Sequence, residues 1–170
     1  MIPHRKFLIV LACVLQTAVL SSCYQSPEPL SKPGLVLDHT LLGVWDCSSD
    51  VKEEADQKSS EKIAMAIYQF DDFQYYIEWR EGEDHVTRYR AFPSLIDKSI
   101  LVNIQNMTES DKQWTFVRYH VDQTNRLSVG LVNKDAVSAK DANNSLEEIR
   151  KRVTEDGLYS PLVSCIRQKD

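Results

Sequence analysis

The chain has 170 residues and carries 20 Lys and Arg against 25 Asp and Glu, which gives a formal net charge of −5. This length suits one domain with its own hydrophobic core. The acidic balance argues against a protein that binds nucleic acid through its phosphates, because that mode of binding needs a basic face. We therefore expect no nucleic-acid partner.

The first 22 residues have the pattern of a secretory signal. A basic start at His4, Arg5 and Lys6 precedes an apolar run over residues 7–20. That run is shorter than the about 20 residues that a membrane-spanning helix needs. The basic start, the short apolar core and the small residues at its exit together predict a cleaved export signal. A buried helix or a short membrane anchor is the alternative, but neither helix caps nor an amphipathic period accompany the run.

The end of this segment, Leu20-Ser21-Ser22-Cys23, resembles the lipobox of bacterial lipoproteins. The resemblance implies cleavage before Cys23, a diacylglyceryl thioether on its sulfur and a further acyl chain, such as palmitate, on the new amine. Two or more acyl chains hold a protein stably on a membrane, so the membrane becomes a partner. The residue after Cys23 is Tyr24 and not Asp, which in Gram-negative lipoproteins fits export to the outer membrane. We expect a domain in the bacterial envelope, outside the cytoplasm.

Two cysteines, Cys47 and Cys165, remain after cleavage and acylation. In an oxidising compartment they predict a disulfide, with two unpaired thiols as the alternative. The bond would close a loop of nearly the whole domain and add about 4–5 kcal/mol in the chain-entropy model. No His or Cys stands at zinc-ligand spacing from either residue, so we expect no metal and no cofactor.

Two polar stretches flank the start of the folded domain. Residues 23–40 carry Pro27, Pro29 and Pro33, and this density of proline predicts an extended, flexible tether behind the lipidated cysteine. Residues 48–62 are charged, with few apolar side chains, and predict a long loop. We place the domain itself at residues 41–170.

The rest of the domain reads as a series of short strands. Runs rich in aromatic and β-branched residues alternate with short polar connections, and apolar residues recur at every second position. This pattern predicts an antiparallel meander of eight strands. The runs are residues 41–48, 63–70, 73–80, 85–92, 99–105, 113–122, 126–132 and 162–168.

One helix is predicted before the last strand. Ser145 and Glu148 have the spacing of a capping box, and Gly157 would end the helix in a left-handed conformation. Glu147 with Lys151, and Glu148 with Arg152, stand at i,i+4 spacing on the solvent side. A narrow apolar stripe predicts that the helix lies against the outside or one end of the sheet; it consists of Leu146, Ile149 and Val153.

The predicted cysteine pair lies on the first and last strands, which suggests that the sheet closes. In an up-and-down barrel the terminal strands are neighbours, and eight strands leave room for packed side chains or for one small ligand. We therefore predict a mainly β fold, an eight-stranded antiparallel up-and-down barrel with one helix before the last strand. A two-sheet sandwich would fit the same strand count.

The first strand contains Gly43-Val44-Trp45, which is similar to the opening motif of lipocalins. In that family the Trp closes the base of the barrel, so the resemblance implies this role for Trp45. A helix before the last strand is also similar to lipocalins. After the seventh strand, Lys134 stands where an Arg that packs over the Trp would be expected.

Two groups of aromatic residues are candidates for a ligand site. Tyr75 and Trp79 share one strand face, and Trp114, Phe116 and Arg118 share another. Such residues either fill a solid core or form the apolar wall of a small-molecule pocket with a few polar groups for orientation.

No catalytic motif is found in the sequence, and His39, His85 and His120 are expected at the surface or lining the barrel. Arg88 and Arg90 are expected to point outward. We expect a non-enzymatic envelope lipoprotein that binds a small hydrophobic ligand such as a lipid. The alternative is an envelope-assembly or host-contact protein with a filled barrel.

Overall fold

The computed structural model describes residues 23–50, 63–82, 84–110, 112–138 and 141–168. The predicted signal at residues 1–22 and positions 51–62 of the predicted charged loop lie outside the described residues. In the described part of the chain, no helix has the length and apolar character required to cross a membrane.

Eight strands form one closed barrel, which confirms the predicted architecture and rules out the two-sheet sandwich. Each strand pairs antiparallel with the next, and the last pairs with the first. The alternation of apolar and polar residues sets the register, because a one-residue slip would turn each apolar set out of the core. The strands are β1 Gly43–Ser49, β2 Ile63–Gln69, β3 Tyr75–Glu81, β4 His85–Ile96, β5 Ser99–Asn106, β6 Trp114–Val121, β7 Arg126–Val132 and β8 Tyr159–Arg167.

The predicted disulfide is present and joins the two strands that close the barrel. Cys47 on β1 lies directly opposite Cys165 on β8, with 3.9 Å between the Cα atoms. The bonded residues are 118 positions apart, so the crosslink restricts almost the whole domain in the unfolded state.

The two ends of the barrel carry different connections. At one end, which we call the base, short turns join β2 to β3, β4 to β5 and β6 to β7, and the chain enters β1. At the other end, which we call the mouth, β1 ends and β2 begins, β3 connects to β4 and β5 to β6, and the chain leaves β7 and later enters β8.

The barrel has an inner core and an outer core. Inward side chains of alternate positions, together with Leu37 and Leu41, form the inner core. On the outside, a second cluster packs between the sheet, a helix and the N-terminal segment. Its buried members are Leu30, Phe92, Leu101, Trp114, Phe116, Val132, Leu146, Ile149, Val153 and Leu158.

The helix, which we call α1, spans Ala142–Arg152 and packs its apolar stripe on the outer face, as predicted. Its start differs from the prediction. Asp141 is the N-cap and accepts a hydrogen bond from the backbone N–H of Asn144, whereas Ser145 is buried inside the helix. Gly157 lies in a later 3-10 turn, and the described glycines that have positive φ angles are Gly43 and Gly82. The capping box and the glycine cap are therefore wrong.

The N-terminal segment, predicted as a flexible tether, is extended but lies against the barrel. Ser26 and Leu30 are 0 % and 4 % exposed. The backbone N–H of Leu30 donates to the side-chain oxygen of Asn103 at 2.8 Å, and Arg150 of α1 donates to the Leu30 carbonyl at 2.7 Å. We call residues 23–37 the strap, because they run over the outer face and lead into the base.

Candidate functional site

The mouth half of the barrel interior is the candidate binding site. Six inward side chains near this end are only partly buried, and each lies on a strand whose inward row also holds a buried residue; on β6 the inward Tyr119 and Val121, nearer the base, are partly buried as well. Five of the six are apolar or aromatic, which is the usual composition of a small-molecule pocket. We call them the mouth ring: Ile63, Trp79, Tyr89, Ile104, Thr115 and Leu131.

Polar groups in the mouth are few and lie beside the aromatic rings. The indole N–H of Trp79 donates to a carboxylate oxygen of Glu81 at 2.7 Å. Burial raises the pKa of Tyr89 to about 12. A hydrogen bond with Thr87 opposes this increase, and the negative charges of Glu81 and Glu109 add to it. The Tyr89 hydroxyl therefore stays protonated at neutral pH and is available as a donor.

At the base, Asp38 forms hydrogen bonds with two tyrosines of the inner core. Asp38 is the N-cap of a 3-10 turn, and its backbone N–H donates to the hydroxyl of Tyr75 at 2.8 Å. The hydroxyl of Tyr119 donates to the second carboxylate oxygen of Asp38 at 3.0 Å. Burial acts to raise the pKa of Asp38, but hydrogen bonds from Thr40 and Tyr119 outweigh it and hold the pKa below its usual value.

Trp45 fills the base, as the lipocalin resemblance implies. It is 0 % exposed, and its indole N–H donates to the carbonyl of Leu41 at 2.9 Å. The guanidinium of Arg167 lies 4.2 Å from the centre of the indole ring and also donates to the carbonyls of Thr40 and Leu42. The Arg expected over Trp45 therefore comes from the end of β8, and Lys134 is exposed near the mouth.

Gly43 belongs to the same arrangement. Its φ of +127° is unfavourable for any residue with a side chain. A Cβ atom at this position would also lie 2.7 Å from a guanidinium nitrogen of Arg167. The Gly-x-Trp motif thus serves the close approach of Arg167 to the base.

Of the predicted ligand-binding residues, Tyr75 and Trp79 point into the barrel and the other three point outward. Trp114 and Phe116 are buried in the outer core, which differs from the expectation that they line a cavity. Arg118 forms an ion pair with Asp156 at 2.9 Å on the outside. The inward residues of β6 are instead Thr115, Val117, Tyr119 and Val121.

The remaining polar candidates lie on the surface. His39, His85 and His120 are exposed, and within the described ranges no group of three or more potential ligands could hold a metal ion. Arg90 points outward over Trp114, as expected, and Arg88 lies near Glu78 on the outer face.

A shallow groove of about 340 Å³ runs along α1 and is lined by charged and amide side chains. Both predicted i,i+4 ion pairs form across it, Glu147 with Lys151 at 2.7 Å and Glu148 with Arg152 at 2.9 Å. Because these charges satisfy one another at the surface, the groove reads as the solvated face of the helix.

Residues missed by sequence reasoning include Asp38, Tyr119 and Arg167. The sequence pattern places Asp38 in the predicted tether, although the helix-capping preference of Asp is a usable signal. Arg167 could have been found from the predicted disulfide, since antiparallel pairing of Cys47 with Cys165 places Trp45 opposite residue 167.

Searches of family models, of curated proteins and of solved structures returned no match to this chain.

Proposed function

We propose that this chain is a bacterial envelope lipoprotein, anchored in the outer membrane through acyl chains on Cys23, whose barrel mouth binds a small hydrophobic ligand such as a lipid. The proposed role is binding and not catalysis. The observation that carries it is the mouth ring, a set of partly exposed apolar and aromatic side chains inside the barrel. The anchor rests on the lipobox of Leu20 to Cys23.

An apolar ligand suits this site because its binding removes apolar surface of both the ligand and the barrel wall from water. Moving a ligand CH₂ group out of water into such a wall contributes about 0.8 kcal/mol. The Tyr89 hydroxyl and the Glu81 carboxylate stand at the rim, where they would meet a polar head group. The packed base limits how deeply a ligand can enter, so we expect only part of an acyl chain to be held.

A second candidate function is docking of an envelope protein or host protein on the outside of a filled barrel. Exposed apolar side chains at the base favour it: Phe70 is 69 % exposed, Phe73 39 % and Leu95 57 %. Large exposed apolar groups that cluster at one end of a domain are typical of contact surfaces.

Mass spectrometry of the intact complex tests the ligand. The full chain is produced in a bacterium that acylates lipoproteins and is extracted in mild detergent. We expect one lipid per chain to remain bound to the wild type and to be lost from Ile63→Glu, because this substitution places a carboxylate in the mouth ring. The matched control is Tyr68→Glu on the same strand, at a side chain that is 47 % exposed outside the barrel.

The outcomes separate the two candidates. Bound lipid that survives in Ile63→Glu, or a wild type that carries none, contradicts the mouth as a ligand site. In that case, loss of a co-purified protein on Phe70→Ser and Phe73→Ser would support docking at the base.

A further inference from the structure

The strap leaves no free chain between the anchor residue and the barrel. Immediately after Cys23, the backbone N–H of Tyr24 donates to the carbonyl of Val132 at 3.0 Å. Ser26 and Trp114 exchange two backbone hydrogen bonds, at 2.9 and 2.7 Å. The ring of Tyr24 also stacks on Phe116 with 6.0 Å between the ring centres.

These contacts hold Cys23 at the mouth end of the barrel. Cys23 forms a β-bridge with Asn133, which directly follows β7 where that strand ends at the mouth. Strands β6 and β7 pair only as far as Val117 and Leu131, and the start of the strap bonds to both strands beyond that point. The anchor residue is therefore part of the mouth and not the end of a loose linker.

The geometry points to a fixed orientation: the acylated Cys23 holds the barrel with its mouth facing the anchoring bilayer and its base facing away. This inference rests on the proposed acylation of Cys23. It deepens the proposed function, because an apolar ligand would pass between the bilayer and the mouth ring without crossing bulk water. The partner surface is the lipid–water interface of the anchoring membrane.

The described charges at the mouth are of both signs, so we assign the contact to the anchor and not to charge. Asp50, Glu81 and Glu109 lie in or next to the connections at the mouth, where an anionic lipid surface would repel them, and the cations Lys112 and Lys134 lie at the same end. A zwitterionic bilayer is thus the appropriate test surface, since it isolates the effect of the anchor.

The opposite orientation would bury exposed apolar groups but would break the strap. With the base on the membrane, Phe70 and Leu95 could enter the interface. The acyl chains at the mouth would then have to reach past the length of the barrel, which is about 20 Å for strands of seven residues at 3.3 Å per residue. That reach requires the strap to leave the barrel, exposing Leu30 and breaking the hydrogen bonds of Ser26 and Leu30.

Quenching of tryptophan fluorescence by a lipid with a nitroxide on its head group tests the orientation. The acylated full chain is placed in phosphatidylcholine vesicles with and without the nitroxide lipid. The mouth reporter is Trp79, whose share is obtained by comparing the wild type with Trp79→Phe. The base reporter is a new tryptophan, Phe70→Trp, in the Trp79→Phe background.

We expect quenching of the Trp79 share to be at least twofold greater than quenching of the base reporter. Equal quenching of the two reporters, stronger quenching at the base, or no quenching at either end would each overturn the orientation. The mass of the N-terminal peptide is measured on the same samples. A chain without acyl groups refutes the proposed anchor, whereas an acylated chain with the wrong quenching pattern refutes the orientation alone.

Discussion

The base and the mouth of this barrel are made from the same eight strands, but the tryptophans at the two ends differ in how deeply they are buried. At the base, Trp45 is fully buried, and its N–H, its ring face and the neighbouring carbonyls all have partners. At the mouth, Trp79 continues the inward row of Tyr75 and Ile77 but is only partly buried. Trp45 at the base is thus packed and hydrogen-bonded, whereas apolar surface at the mouth stays partly exposed, as the proposed ligand site requires.

The difference arises from what covers each end. The chain entering β1 brings Leu37, Asp38 and Leu41 under the base, where they complete the inner core and the hydrogen bonds of Tyr75. The strap and α1 cover part of the outer face of the barrel and leave the mouth ring itself partly exposed. A substitution at the base should therefore change stability, and one at the mouth should change binding.

The largest expected effect comes from the disulfide that joins β1 to β8 and so holds the barrel closed. Replacing Cys47 and Cys165 together with Ser should lower the free energy of unfolding by about 4–5 kcal/mol, because the open chain gains entropy when unfolded. Urea denaturation of the variant and of the wild type, with and without reductant, measures this difference. Equal stability of the reduced and oxidised wild type would contradict it.

Trp45 and Trp79 offer a direct contrast between the ends. Trp45→Ala should cost about 3–5 kcal/mol, since it leaves a large cavity in a packed interior. Trp79→Ala should cost about 1–2 kcal/mol, because less of its surface is removed from water. Denaturant melts of both variants check this, and similar losses would mean that the mouth is packed like the base.

The lipocalin resemblance places the residue that packs over Trp45 at position 134, whereas the structure places Arg167 over Trp45. Substitutions at the two positions therefore test which residue supports the base. Arg167→Met should lower stability by about 1–2 kcal/mol through loss of the cation–π contact with Trp45 and of hydrogen bonds to two carbonyls. The matched control Lys134→Met removes an exposed charge and should change stability by less than about 0.5 kcal/mol. Thermal melts rank the two, and a larger loss at Lys134 would contradict the placement.

The smallest expected effect is the pH response of Asp38. A carboxyl whose pKa is lowered by folding adds stability above its unfolded pKa of about 3.9, and this contribution is lost as the pH falls through the lower folded pKa. Asp38→Asn should cost about 1 kcal/mol at neutral pH and should flatten this acid-dependent loss. Denaturation at a series of pH values between neutral and acid measures it; an unchanged slope in the variant would show that other carboxyls are responsible.

The strand pattern was predictable from sequence because alternation and polar turns are local signals. All eight strands, the closure and the disulfide are confirmed, with shifts of a few residues at the ends of elements. β4 continues to Ile96 through Pro93, where sequence reasoning stopped at residue 92.

The outer core was not predictable in the same way. Trp114 and Phe116 read as barrel lining because the strap that covers them contains isolated apolar residues between prolines and resembles a linker. Leu30 becomes a core residue only when α1 and β5 come together around it. Arg167 likewise reaches Trp45 only when β8 closes against β1. These are contacts between distant parts of the chain, which local patterns do not encode.

A crystal structure of the acylated chain extracted from its own membrane tests the central claim most directly. We expect elongated apolar density in the mouth, in contact with Trp79 and Tyr89, above a base in which Trp45 and Arg167 remain packed. A mouth filled by ordered water, or by the protein's own side chains, would contradict the claim that this end of the barrel is a ligand site.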